Sequence, residues 1–167
     1  FLLHSMYRLT LFGVVHYETG NYRQAIIYFE KALALLSEQN PSEKSLRANY
    51  KINIGSTLLK IEEYDAAKKI FEEVLTYNVF NNELFHKLGL IHLREKDFIR
   101  ATGFLKRVNY LNSKKTTDLY LHFAMAFSGM GQPDSAELYL HRALAENLKW
   151  NGLRKNISYG LILKYQA

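Results

Sequence analysis

The sequence has no cysteine among its 167 residues, which excludes disulfide bonds, thiol catalysis and zinc–thiolate sites. Its apolar stretches are short and interrupted by Arg, His or Glu, so the sequence predicts no membrane-spanning helix. No segment near the start resembles a signal peptide. Charges of one sign do not form long blocks, which excludes a basic or acidic tail. With these features missing, we expect a cytoplasmic protein.

The composition is typical of an ordinary folded protein, with 48% hydrophobic and 23% charged residues. The formal net charge of +6 is a moderate basic excess, which attracts acidic partners at long range. Basic pairs occur at Lys68-Lys69, Lys106-Arg107 and Lys114-Lys115. Acidic residues interrupt this cluster, so solvated surface charge is a better interpretation than nucleic-acid binding.

A pattern of small and large apolar residues recurs four times along the chain. A small residue is followed by alanine twelve positions later, then by Phe or Leu after four, then by Ala or Val after three. The four copies are Gly13, Ala25, Phe29, Ala32; Gly55, Ala67, Phe71, Val74; Gly89, Ala101, Leu105, Val108; and Ala124, Ala136, Leu140, Ala143. The alanines at the second place follow one another at steps of 42, 34 and 35 residues. A period near 34 residues is typical of stacked helix–turn–helix repeats.

The spacing within each copy predicts two packed helices. We expect the small residue of the first helix to meet the alanine of the second, because a larger side chain would push the helices apart. The Phe or Leu one turn further along then fills the space beside them. Gly, Asn, Asp and Pro are typical of turns and caps, and they occur in the intervening segments 18–22, 62–65, 95–98 and 130–134.

Over about residues 6–150, these positions resemble the tetratricopeptide repeat (TPR) family. The match is incomplete, since Lys51 stands where the family has an aromatic residue and no repeat ends in proline. The pentatricopeptide repeats that bind RNA are a less favoured resemblance, because their residue code differs. The TPR resemblance implies an all-α fold, an α-solenoid in the form of a right-handed superhelix.

We expect residues 1–167 to form a single TPR domain, as a fragment of a longer protein. The predicted repeats span about residues 6–39, 48–81, 82–116 and 117–150. The first step is eight residues longer than the second, and the excess falls around residues 37–45, which predicts a longer helix pair or an inter-repeat loop. Residues 151–166 read as one more amphipathic helix, either a cap or the start of a fifth repeat.

The resemblance implies that the first helix of each repeat lines a concave groove, which here is more apolar than a solvated helix face requires. We therefore expect a non-catalytic scaffold that binds a partner peptide or helix in that groove. The residues assigned to partner binding are Ile52, Asn53, Lys60, His86, Lys87, Leu90, Arg94 and Met125. One alternative is a peptide-sensing regulator whose effector domain lies outside this chain. Self-association through the groove or the last helix is a third hypothesis.

Other chemistries are not favoured by the residues. The Lys/Asn clamp that cochaperone members use for a C-terminal carboxylate is broken, because Thr10 and Val14 occupy its first two places. The six histidines lack metal-ligand spacing, and His16 and His92 are expected to be packing residues. No phosphate loop or nucleophile motif is present. We therefore expect no enzyme activity, no metal and no cofactor.

Overall fold

The computed structural model describes residues 2–77, 80–108 and 116–150, and in them the chain is entirely helical. The helices are α1 (Leu2–Glu18), α2 (Tyr22–Leu33), α3 (Lys44–Lys60), α4 (Tyr64–Leu75), α5 (Asn82–Arg94), α6 (Phe98–Lys106), α7 (Thr116–Gly129) and α8 (Pro133–Trp150). A short 3₁₀ helix, Pro41–Glu43, precedes α3. The predicted helix at residues 151–166 lies outside the described residues.

The helices pack in chain order, which makes the fold an all-α solenoid. Two compact units divide the chain, Phe1–Phe80 and Asn81–Ala167. In the first, α1 packs on α2, α2 on α3, and α3 on α4. In the second, α5 packs on α6, α6 on α7, and α7 on α8. The expectation that residues 1–167 form a single domain stays a prediction.

The first helix of each repeat ends in the same kind of turn. A residue with positive φ follows it, Gly20 (79°), Glu62 (64°), Lys96 (60°) or Gly131 (68°). The next amide then donates to a carbonyl five residues back, as in Asn21 N to His16 O at 2.8 Å and Asp97 N to His92 O at 2.9 Å. This 6→1 bond is the Schellman closure of a helix. The turn reverses the chain, so that the second helix packs back on the first.

The glycines of the repeat pattern let aromatic or Leu side chains approach the first helix. A Cβ added to Gly13 would lie 2.5 Å from Phe29 Cε1, and one added to Gly89 would lie 2.7 Å from Leu105 Cδ2. The same addition at Gly55 would overlap the Phe71 ring. The sequence interpretation was wrong in one respect, because the nearest neighbour of each glycine is the large residue and not the alanine.

The eight extra residues of the first step are divided between helix and connection. The helix α3 begins four residues before the predicted start of the second repeat at residue 48 and spans 17 residues, against 13 in α5. The remainder forms the connection that contains the 3₁₀ helix, where the Asn40 side chain accepts from Ser42 N at 3.1 Å. Side-chain caps also start α5 and α6, where Asn81 accepts from Leu84 N and Asp97 from Arg100 N.

Candidate functional site: the exposed faces of the first helices

In the first unit, α3 supplies three of the residues predicted to bind a partner. Lys60 is exposed in the last turn of the helix, and Asn53 is half-buried two turns earlier. Ile52 is only 2% exposed. Its assignment to a binding surface is therefore corrected, because a core side chain offers no area to a partner.

In the second unit, α5 and α7 place four predicted residues on neighbouring helices. His86, Leu90 and Arg94 follow one another at four-residue steps, so they form one stripe along α5. His86 and Leu90 are half-buried and Arg94 is exposed. Met125, half-buried, is on α7, which contacts α5. Lys87 is half-buried on α5, one position beyond the stripe.

A histidine pair joins α5 to α7 beside this stripe. His86 Nε2 lies 3.0 Å from His122 Nδ1, and the ring centroids are 5.0 Å apart. Burial lowers the pKa of His122 to about 4 from its usual 6.5, so this ring is neutral at pH 7. A neutral ring offers a donor on one nitrogen and an acceptor on the other, so the pair fixes the two helices without adding charge. Sequence analysis did not single out this pair.

The other two histidines of note pack as expected. The His16 ring stacks on Tyr28 with centroids 5.2 Å apart, and the His92 ring stacks on Phe104 at 5.4 Å. His92 Nδ1 also lies 3.1 Å from Glu95 Oε2. Within the described residues, His16 Nδ1 is buried without a hydrogen-bond partner, so its packing is not matched by polar satisfaction.

A polar cleft of about 430 Å³ lies in the first unit, between the connection that follows α2 and the helices α3 and α4. Arg47, almost fully buried, donates to Glu38 at 3.0 Å and to the Leu36 carbonyl at 3.4 Å. Lys51 is paired with Glu73, and its hydrogen bond holds the pKa of that carboxyl below the usual range. These ion pairs attach the long connection to α3 and α4, which is a structural role.

No group of three or more His, Cys, Asp or Glu side chains suited to a metal ion occurs in the part of the chain that the structure describes. None of the helices within residues 2–77, 80–108 and 116–150 is long and apolar enough to cross a bilayer. The surfaces that the first helices present are therefore apolar or basic helix faces.

Comparison with known proteins places the first two repeats in a known family. Residues 5–77 match the family model of the tetratricopeptide repeat. A curated relative, the anaphase-promoting complex subunit CDC16 of Saccharomyces cerevisiae, is 29% identical over 105 residues. That alignment covers 63% of this chain and 12% of the relative, so the chain spans about an eighth of that protein's length.

Solved structures share the fold at low identity. MamA superposes with a TM-score of 0.68 and 21% identity, covering 86% of this chain and 79% of its own. BtubC (BKLC) from P. vanneervenii gives 0.73 and 17%, with 91% and 66% covered. YrrB, a TPR protein with an unusual peptide-binding site, gives 0.67 and 20%, with 95% and 84% covered.

These matches agree with the helix pairs, the glycine contacts and the turns described above. Arrays of such repeats form extended surfaces that bind other proteins. The chain therefore belongs to the tetratricopeptide repeat family and has the architecture of a protein–protein interaction scaffold.

Proposed function

We propose that this chain is a non-catalytic binding module that holds a peptide or helix of a partner protein against the first helices of its repeats. The observation that carries the proposal is the α5–α7 face, where the stripe His86, Leu90 and Arg94 lies beside Met125. The His86–His122 contact fixes these helices side by side, so the face exists before any partner arrives. A preformed surface loses less entropy on binding.

The chemistry of this face suggests what the partner carries. Its centre is apolar, with Leu90 and Met125, and its end is basic, with Arg94. Because the histidine pair is uncharged at neutral pH, the positive charge is confined to the end of the stripe. A segment with an apolar anchor followed by an acidic residue would complement both parts.

The first unit repeats part of this pattern on α3. Lys60 occupies the place of Arg94, 34 residues earlier, and Asn53 occupies the place of Lys87. Exposed Lys60 offers a second basic contact for an acidic segment. Ser56 and Ile52, both buried, stand where the second unit has Leu90 and His86, so α3 provides less apolar area. We therefore assign the apolar anchor to the second unit.

The relatives are consistent with this proposal. CDC16 is by its name a subunit of a larger complex, and YrrB is a protein with a peptide-binding site. A scaffold within a larger assembly and a peptide sensor would both use the faces described here. The two differ in what is joined to the repeats, and sequencing the complete gene distinguishes them.

The experiment begins with peptides selected from a random library on the immobilised chain. Their affinities are then compared for the wild type and for Arg94→Glu, Lys60→Glu and the control Arg23→Glu, which makes the same charge change on α2. We expect each of the first two variants to weaken an acidic peptide about tenfold, or about 1.4 kcal/mol, with unchanged helical circular dichroism. Equal binding by all four proteins, or equal loss in all three variants, would refute the proposed surface.

A further inference from the structure

The helix α1 exposes an unusual amount of apolar surface. Six of the eleven exposed large hydrophobic side chains among the described residues lie on it: Leu3, Tyr7, Leu11, Phe12, Val14 and Val15. Isolated apolar side chains on a surface need no explanation, but a group on one helix marks a contact. Phe12 and Val15 are three positions apart, so they share one side of α1, and that side is distinct from the partner-binding face proposed above.

The chain itself shows how this side of a first helix is normally covered. Adding the repeat steps to Phe12 leads to Ile54 on α3 and Phe123 on α7, and adding them to Val15 leads to Thr57 and Ala126. These four counterparts are buried. The helix α3 packs on α2, and α7 packs on α6, so in each unit the second helix of the preceding repeat lies against the first helix of the next.

The position of Phe12 allows a close comparison. Phe12 stacks on Tyr28 of its own repeat at 5.3 Å, and Phe123 stacks in the same way on Tyr139 at 4.8 Å. Yet Phe12 is 45% exposed whereas Phe123 is 0% exposed. The packing within the repeat is thus the same, and the difference lies in the covering by a preceding helix. Val15 differs more, at 55% exposed against 0% for both Thr57 and Ala126.

A cavity strengthens the comparison. A pocket of about 250 Å³ opens on this side of α1, lined by Ser5, Arg8, Leu9, Phe12 and Tyr28. Ser5 corresponds to Arg47 of α3, which donates to the Leu36 carbonyl in the connection after α2. The pocket therefore lies where, in the next repeat, the end of a second helix and its connection are attached. An open pocket at that place is the size of a few side chains.

We propose that, in the natural polypeptide, the second helix of a preceding helical hairpin covers Phe12 and Val15 of α1 and fills this pocket, as α2 covers α3. The occupant is an amphipathic helix with a small apolar contact face. Arg8 stands where α3 has Tyr50 and α7 has Leu119, both buried. Because a guanidinium loses stabilisation when it is covered without a partner, the covering helix carries a carboxylate or several carbonyls opposite Arg8.

The absence of cysteine allows a direct test by thiol accessibility. Val15→Cys is made in this chain and in the complete natural polypeptide with its other cysteines replaced, and the maleimide reaction rate is measured in both. Arg23→Cys, at a side chain 85% exposed on α2, is the control. We expect the thiol introduced by Val15→Cys to react freely in this chain and at least tenfold more slowly in the complete polypeptide as a monomer. The thiol introduced by Arg23→Cys should react equally in both.

Three results would overturn the proposal. Equal reactivity of the Val15→Cys thiol in both proteins would show that α1 is not covered in the complete polypeptide. Slow reaction already in this chain, with a dimer by light scattering that Val15→Glu converts to monomer, would make a second copy the occupant. Protection that appears in the complete polypeptide only after another protein is added would make a separate partner the occupant. Circular dichroism of Val15→Cys checks that the substituted chain is folded.

Discussion

The contact between Gly55 and Phe71 provides a quantitative test of the packing described here. A Cβ on Gly55 would overlap the ring of Phe71, which is completely buried and has no free side to move into. Gly→Ala in a helix interior gains about 1 kcal/mol from propensity. Forcing a methyl group into a filled core costs about 1–3 kcal/mol. Because Phe71 cannot move away, we expect the second effect to win, with Gly55→Ala destabilising by about 1–2 kcal/mol.

Gly103 is the matched control, because it lies within α6 with no atom within 4 Å of an added Cβ. Gly103→Ala should be stabilising by up to about 1 kcal/mol, since only propensity changes. Both variants are measured by urea unfolding followed by circular dichroism, with wild-type chain at the same concentration. If Gly55→Ala is as stable as Gly103→Ala, the close contact with Phe71 does not determine the packing and the reasoning is refuted.

The fourth repeat supplies a compensating design. It has Ala124 and Leu140 in the places of Gly55 and Phe71, so the chain already contains the smaller pairing. Phe71→Leu alone should cost about 1–2 kcal/mol by leaving a cavity. In Gly55→Ala/Phe71→Leu, the new methyl group occupies part of that space. We expect the double variant to be more stable than the sum of the two single effects by about 1 kcal/mol, and additive effects would contradict direct contact.

Two further predictions concern a buried histidine and a strained turn. The unfolded chain binds a proton at His122 near pH 6.5 and the folded chain only near pH 4, so stability is lost as pH falls between these values. We expect about 2 kcal/mol less stability at pH 5 than at pH 8 from this group; urea titrations at both pH values should show His122→Gln lowering the dependence and exposed His141→Gln leaving it unchanged, and equal slopes would contradict the assignment. Glu62 has a φ of 64°, so Glu62→Gly should raise the melting temperature by removing about 1 kcal/mol of strain. Glu63→Gly, where φ is −82°, should give no such increase, and the same change in both would exclude strain as the cause.

Much of the fold follows from spacing along the chain. The recurrence from Gly13 to Gly55 and Gly89 predicted paired helices, and the turn residues predicted where each pair reverses. These features are local or involve neighbouring helices, so they depend on few residues. The direct partner of the glycine was predicted less well, because a period shows which positions are small but not which neighbouring side chain occupies the space. The earlier start of α3 was also missed, since helix ends depend on capping and connection packing.

The candidate site was predictable only as a set of positions. Lys60 and Arg94 are exposed, as a helix face placed at the end of α3 and α5 requires, whereas Ile52 at an equivalent kind of position is buried. The same place in successive repeats is therefore covered in one helix and open in another. The His86–His122 contact joins residues 36 positions apart, and nothing in their spacing indicates a hydrogen bond.

The sequence by itself determined that the chain forms helical hairpins at a period near 34 residues, because glycine, alanine and aromatic spacing controls how closely two successive helices approach. Only the tertiary structure decided which faces of those helices remain exposed. Burial depends on what packs from outside the hairpin, so equivalent residues such as Val15 and Thr57 have opposite exposures. The exposed faces are the part of the molecule on which binding depends, and they are defined by neighbours that a repeat pattern does not contain.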